Sequence, residues 1–315
     1  MKNIALVTVT YNAGKNLPFF LPSLVQNKEI ISHVYFVDNN SKDTTLSTLE
    51  TFKKLEEESF DVHIISNRKN YGYTHAVNSG IQKALDDGFK YICVTNNDIA
   101  FEHGFFAKML SEFTENTIDA LGVPASINEH DLGLGYSLDS TTYAPKKDQP
   151  IKRKDIQREI LKNPLPSIDF PHGGTILFSR YFFENIGLYD HHLFFGGDEL
   201  DFLYRVTAYN AAHDTKIKCA VSLTSFLKLD NLSHHNNGNK FIKARGMLQG
   251  NARVHLKHTS TPFQSKLYRE QHSLIQSLAK GSLMRYIALY LFALRGLCIE
   301  IYRYYRDSMV QKITS

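Results

Sequence analysis

Ile4-Ala5-Leu6-Val7-Thr8-Val9-Thr10-Tyr11-Asn12-Ala13-Gly14 is the stretch that decides the architecture. Its first seven residues are largely apolar and β-branched, which predicts a short buried strand. Tyr11-Asn12-Ala13-Gly14 is a turn cluster that ends it. Apolar spacing then predicts a helix over Leu17–Gln26. The same alternation continues outward. Val34-Tyr35-Phe36-Val37 is a second buried strand ending at Asp38-Asn39-Asn40-Ser41, followed by a helix near Thr44–Glu58. Val62–Ile65 reads as a third strand, Ala76–Asp87 as a third helix, and Tyr91-Ile92-Cys93-Val94 as a fourth strand running into Thr95-Asn96-Asn97-Asp98.

Short apolar strands separated by helices imply an α/β fold with a mostly parallel sheet and helices on both faces. In such sheets a ligand lies outside the carboxyl ends of the strands. Those ends carry Thr10-Tyr11-Asn12, Asp38-Asn39, Asn67 and Asn97-Asp98, so polar residues collect where a ligand would sit. The middle differs: Asn128 to Phe170 is rich in Gly, Pro, Lys and Asp, with a basic cluster at Lys146, Lys147, Lys152, Arg153 and Lys154. It reads as a solvated loop, or as a mobile flap over an anionic substrate.

The 315 residues have 43% hydrophobic and 22% charged content, ordinary for a globular protein, and a formal net charge of +4. That mild balance disfavours nucleic acid as a partner. Cys93, Cys219 and Cys298 lie far apart with no CxxC pair, which suits a reducing compartment. With no leader pattern and no apolar run near the ~20 residues of a spanning helix, the expected location is the cytoplasm, at the inner face of the cell membrane. From Lys266 onward there are eight Lys/Arg against three Asp/Glu, and Leu283–Arg306 carries five tyrosines. Such a tail suits an anionic membrane surface. It suits equally a helix packing on the core or on a second copy in a homodimer.

Several motifs are missing. No GxGxxG follows the first strand, no GxxxxGK[ST] is present, and there is no GxSxG elbow, which disfavours dinucleotide oxidoreductases, P-loop phosphotransferases and α/β-hydrolases. Carboxylates are present instead. Asp98 ends a buried strand, where a hard oxygen donor suits Mg²⁺ or Mn²⁺ bridging a diphosphate. Gly196-Gly197-Asp198-Glu199-Leu200-Asp201 puts three carboxylates in four residues, a costly arrangement that a helix N-terminus would partly offset. Crowding raises the pKa of one member, which is useful in a general base. His234-His235 follow a polar turn, and a neutral imidazole there could complete a metal shell begun by Asp98.

Together these residues resemble the inverting family 2 glycosyltransferases with a GT-A fold, and more narrowly their bacterial rhamnosyltransferase and galactofuranosyltransferase branch. The resemblance covers roughly residues 3–260. It rests on Val9-Thr10-Tyr11-Asn12, Val37-Asp38-Asn39-Asn40-Ser41, Asn67, Asn70-Tyr71-Gly72-Tyr73, Asn78-Ser79-Gly80-Ile81, Asn96-Asn97-Asp98 and Phe195-Gly196-Gly197-Asp198-Glu199-Leu200-Asp201, in that order.

The resemblance implies that Thr10, Tyr11, Asn12 and Asp38 hold the nucleotide base and ribose, with Asn67 and Asn70 beside it. Asn97 and Asp98 would bind the diphosphate through a divalent cation, Mn²⁺ or Mg²⁺, with His234 or its neighbour His235 near the position of a metal-binding histidine. Glu199 falls at the base position, where it would deprotonate an acceptor hydroxyl. Asp198 and Asp201 would orient the acceptor or the base. The acidic motif reads Asp-Glu where the family has Glu-Asp, and the family's later Arg-Asn pair appears as Gly250-Asn251 with Arg253 displaced.

The implied domains are 1–265, with a nucleotide-sugar half (1–125) and an acceptor and catalytic half (126–265), followed by a basic aromatic helical tail (266–315). The expected function is metal-dependent transfer of rhamnose, galactofuranose or another hexose from a dTDP- or UDP-sugar to a glycan or lipid-linked oligosaccharide acceptor in cell-surface polysaccharide synthesis. A non-catalytic sugar-nucleotide-binding or scaffold subunit of a glycan assembly complex is the alternative.

Overall fold

The computed structural model describes residues 4–138, 145–147, 150–226 and 229–231, together with Gln249, Gly250, Arg253, Val254, Lys257, His258, Leu291 and Cys298. The chain forms two compact units. One comprises residues 1–71, 75–189 and 202–236, and the other 72–74, 190–201 and 237–315.

The first unit is built on a seven-stranded sheet. β1 (Ile4–Thr10) leads through α1 (Leu17–Val25) to β2 (Ile31–Asp38), then through α2 (Thr45–Leu55) to β3 (Asp61–Ser66). α3 (Tyr73–Asp86) precedes β4 (Tyr91–Thr95), and α4 (Phe105–Glu115) precedes β5 (Ala120–Gly122). β6 (Thr175–Ser179), α5 (Arg180–Ile186), the part of α6 (Asp198–Ala212) from Phe202 onward, and β7 (Cys219–Val221) complete the frame. The strand order is β7-β5-β6-β4-β1-β2-β3. All neighbours run parallel except β6, which is antiparallel to both β4 and β5.

β1 buries Ile4, Ala5, Leu6 and Val7 completely, and Val34, Phe36 and Val37 do the same in β2. Strands covered on both sides need such unbroken apolar runs. α1 buries Leu17, Phe20, Leu21 and Leu24, the i, i+3, i+4, i+7 stripe of a helix lying on a sheet. Its Pro18 sits in the first turn, where no intrahelical donor is needed.

The expected strands and helices of residues 4–95 all form, each within a few residues of the sequence reading. The stretch 128–170 differs from the solvated-loop reading of it. Its described residues form short antiparallel ladders, with 135–138 between 145–147 and 170–171, and 131–133 between 151–152 and 125–126, before a helix at Ile156–Lys162. Of the basic cluster, Lys152 pairs with Asp131 at 2.7 Å, and the Arg153 guanidinium donates to Ser126 Oγ and lies over the Phe226 ring. Long-range pairing satisfies backbone and charge that a local reading leaves to solvent.

No helix among the described residues is long and apolar enough to cross a membrane. Apart from Leu291 and Cys298, the tail 266–315 lies outside the described residues, as do His234 and His235. Cys93 and Cys219 are buried free thiols, and burial pushes both well above the usual thiol range.

Candidate functional site

β2 lies on one side of β1 and β4 on the other, so the direction of winding reverses at β1. Sheets of this kind bind ligands at that reversal, outside the carboxyl ends of the strands. Here the β1 end carries Thr10 and Tyr11, the β2 end Asp38 and Asn39, and the β4 end Asn97 and Asp98.

The backbone at this edge is shaped for close polar packing. Asn12 (φ 50°) and Asn40 (φ 67°) take the left-handed conformation that asparagine tolerates. The Asn12 amide donates to Ser41 Oγ at 2.9 Å, and Asn12 Oδ1 accepts from the Lys42 amide at 2.8 Å. The Ala13 and Gly14 amides donate to Thr45 Oγ1 and Asp43 Oδ2. The turns after β1 and β2 are thereby laced together.

Asp38 is 3% exposed. Its Oδ1 accepts from Thr10 Oγ1 (3.1 Å) and Ser41 Oγ (2.5 Å), and its Oδ2 from the Ser41 amide (3.0 Å). Asn39, equally buried, is a hub. Its Nδ2 donates to Asn70 Oδ1 at 2.9 Å, while its Oδ1 accepts from Asn67 Nδ2 at 3.2 Å and from the Tyr71 amide at 3.1 Å. The structure therefore joins Thr10 to Asp38, and Asn67 to Asn70 through Asn39. Tyr11 is 48% exposed at the β1 end, an open aromatic face of the kind on which a base stacks.

Asn97 bridges the reversal itself. Its Nδ2 donates to the Val9 carbonyl at 2.7 Å and its Oδ1 accepts from Asn16 Nδ2 at 2.9 Å. Both ends of the carboxamide are engaged within the protein, so Asn97 braces the strand ends that flank the crevice. Asp98 follows, half-buried. No described His, Cys, Asp or Glu joins it in a three-residue ligating group. A single carboxylate still fits a hard cation that takes most of its ligands from substrate phosphates and water. Residues 229–231 pair antiparallel with 99–101, Asn231 opposite Ile99.

The acidic stretch belongs to the second unit. Gly196 and Gly197 both have positive φ (78° and 84°), a turn that side-chain-bearing residues rarely adopt, and α6 begins at the next residue. A Cβ on Gly250 would lie 2.0 Å from the Gly196 carbonyl oxygen, so the approaching segment also requires glycine. Asp198, Glu199 and Asp201 fill the first turn of α6, where the helix dipole favours negative charge. Asp198 keeps partial solvent contact as a residue, but its carboxyl is crowded by protein. This desolvation, with the Glu199 charge second, pushes its pKa up to about 7.

Asp201 differs from its neighbours. It is 1% exposed and accepts from Lys257 Nζ and His258 Nε2, each at 2.8 Å. Asp190 accepts from Arg253 Nε at 2.9 Å and Lys257 Nζ at 3.3 Å. Burial opposes ionisation of Asp190, yet the Arg253 guanidinium and the Lys257 ammonium hold its carboxyl well below the usual range. Arg253 is thus committed to Asp190 and the His192 ring. Asn39, Asp190, Arg253, Lys257 and His258 are residues to which the sequence reading gave no site role. Asn39 carried a signal there as part of a strand-end motif, and Arg253 as the displaced member of the Arg-Asn pair; Asp190, Lys257 and His258 carried none.

The profile described as Glycosyl transferase family 2 matches residues 5–187. No curated protein matches the chain. Among solved structures, a mannosyltransferase from Pyrobaculum calidifontis, PcManGT in complex with GDP-Man and Mn²⁺, aligns with a TM-score of 0.51 at 14% identity, covering 98% of this chain and 84% of that one. TarS residues 1–349 from S. aureus align with a TM-score of 0.45 at 15% identity, covering 98% and 92%.

Proposed function

The chain belongs to glycosyl transferase family 2 and is a glycosyltransferase with a GT-A-like fold, and on that premise we propose that it performs inverting, metal-dependent transfer of a hexose from a nucleoside diphosphate sugar to a glycan or lipid-linked oligosaccharide. The observation that supports this most is the polar edge at the β1 reversal, where Thr10, Asp38, Asn39, Asn67 and Asn70 form one hydrogen-bonded lining and Asp98 adds a hard anionic donor. The donor is a dTDP- or UDP-linked rhamnose, galactofuranose or related hexose, and the product belongs to a cell-surface polysaccharide.

The residues divide the work by their chemistry. Tyr11 offers a stacking face to the base, and the Thr10–Asp38 pair and the Asn39 hub hold the nucleoside side of the donor. A divalent ion held at Asp98 would neutralise charge on the departing diphosphate. Glu199 takes the proton of the acceptor hydroxyl as that oxygen bonds to the anomeric carbon. The bond from that carbon to the diphosphate oxygen breaks on the opposite face, so configuration inverts and the nucleoside diphosphate leaves. Asp201, locked by Lys257 and His258, fixes the turn that presents Glu199.

The decisive variant is Glu199→Gln. Loss of a general base costs roughly 10²–10⁴ in rate. Released nucleotide diphosphate, followed with a panel of dTDP- and UDP-sugars, should fall by that factor while nucleotide affinity is unchanged. Transfer at the parent rate in the variant would remove Glu199 from the reaction.

A further inference from the structure

The proposed donor site uses the carboxyl ends of the strands. At the opposite ends of β2 and β3 lies a group of side chains that sugar transfer does not use. Parallel pairing sets His33 opposite Asp61 and Tyr35 opposite His63. Alternate residues of a strand share a face, so these four side chains stand together on one side of the sheet.

We propose that His33 Nε2, His63 Nε2 and the Asp61 carboxylate form a binding site for a zinc-class divalent transition-metal ion, distinct from the ion at the donor site. Asp61 Oδ2 lies 3.2 Å from His33 Nε2, and Asp61 Oδ1 lies 3.3 Å from His63 Nε2. A tetrahedral zinc ion with bonds of about 2.0–2.1 Å separates its ligand atoms by about 3.3 Å. One ligand atom from each of the three residues falls within 4.8 Å of the others.

Three further features point to an ion. His63 Nε2 is shielded from solvent and makes no hydrogen bond, although Asp61 Oδ1 lies 3.3 Å away. A cation between them would satisfy both atoms. His33 Nδ1 meets Ser32 Oγ at 2.9 Å, the outer contact that fixes an imidazole and leaves Nε2 for coordination. The rings are also held in place: His63 stacks on Tyr35 at 4.8 Å between centroids, and His33 packs against Phe89 at 4.7 Å. Little side-chain freedom would be lost on binding.

Two imidazoles and one carboxylate favour zinc, nickel or copper over magnesium or manganese, so the two sites would select different metals. Three protein ligands leave one tetrahedral position for water. The other clustered His/Asp group, Asp190-His191-His192, lacks this potential, since Arg253 and Lys257 already occupy its carboxylate. An ion at His33, Asp61 and His63 would tie β3, at the end of the strand order, to β2.

The test uses the full chain stripped by a chelator and titrated with Zn²⁺ by calorimetry and with Co²⁺ by visible absorption. The parent and Asp98→Ala should each bind one zinc ion and show the intense cobalt spectrum of a low-coordinate nitrogen–oxygen site. Ser32→Ala should weaken zinc roughly 10- to 100-fold, and His63→Ala should abolish the cobalt spectrum. Asp61→Asn, at a mostly exposed position, serves if His63→Ala does not fold. No zinc binding by the parent, or undiminished binding in both the His63 and Asp61 variants, would overturn the proposal.

Discussion

Asp198 stands one residue from Glu199 and three from Asp201 in the first turn of α6. Desolvation and the Glu199 charge keep its proton in place up to about pH 7. Asp201 contributes less to that repulsion because Lys257 and His258 already answer its charge. That proton sits on Asp198, so Glu199 stays ionised as the base while the negative charge beside it disappears. The profile of kcat/KM should therefore show an inflection as pH falls through about 7, without transfer being abolished. Asp198→Asn removes the like charge beside Glu199 while keeping the side-chain shape. Its profile should lose the inflection near 7 and follow the low-pH form of the parent throughout. A pH–rate profile for kcat/KM of the variant still centred near 7 would mean the titrating proton lies elsewhere.

At the scale of elements, α3 shows what a family motif holds in place. A Cβ on Gly80 would sit 2.5 Å from Val7 Cγ1 and 3.1 Å from Val37 Cγ2, so the helix approaches the sheet as closely as glycine permits. Two residues earlier, Asn78 clamps the Tyr189 backbone, donating to its carbonyl at 2.8 Å and accepting from its amide at 3.0 Å. Gly80→Ala sets two effects against each other. Alanine gains about 1 kcal/mol of helix propensity, whereas overpacking against two stiff, buried valines costs about 1–3 kcal/mol. The crowding should win, and urea unfolding should show a net loss of up to about 2 kcal/mol. A variant more stable than the parent would mean that α3 can move off the sheet without penalty.

The same contrast explains what the sequence reveals. β1 to β4 and their helices are legible because their signals are local: unbroken apolar runs, helical spacing and turn residues. β6 is five residues long, and its antiparallel course depends on Thr175 meeting Thr95, eighty positions earlier. The ladders of 125–171 likewise arise from pairing that no local window contains. The acidic residues at the start of α6 are visible as a pattern. The Lys257 and His258 partners that set Asp201 apart lie more than fifty residues away and are not.

At the scale of the molecule, winding outward from β1 in both directions brings three strand ends to one crevice, and binding there must register in the stability of the whole fold. A ligand at ~100-fold its dissociation constant stabilises by about 2.7 kcal/mol. At about 2 °C per kcal/mol for a chain of this size, that is an upward shift of about 5 °C in the unfolding midpoint. UDP or dTDP with Mn²⁺ should produce it, and the nucleotide alone should produce less, because the diphosphate then lacks its counter-charge. Asp98→Ala should erase the difference between the two conditions. The smaller metal-free shift should survive, since Thr10, Asp38, Asn39, Asn67 and Asn70 keep their mutual hydrogen bonds without Asp98. Mn²⁺ alone separates this effect from any ion bound at His33, Asp61 and His63, because a shift arising there would need no nucleotide and would persist in Asp98→Ala. An equal Mn²⁺ increment with nucleotide in parent and variant would move the diphosphate ion away from the end of β4 and leave Asp98 as a turn residue.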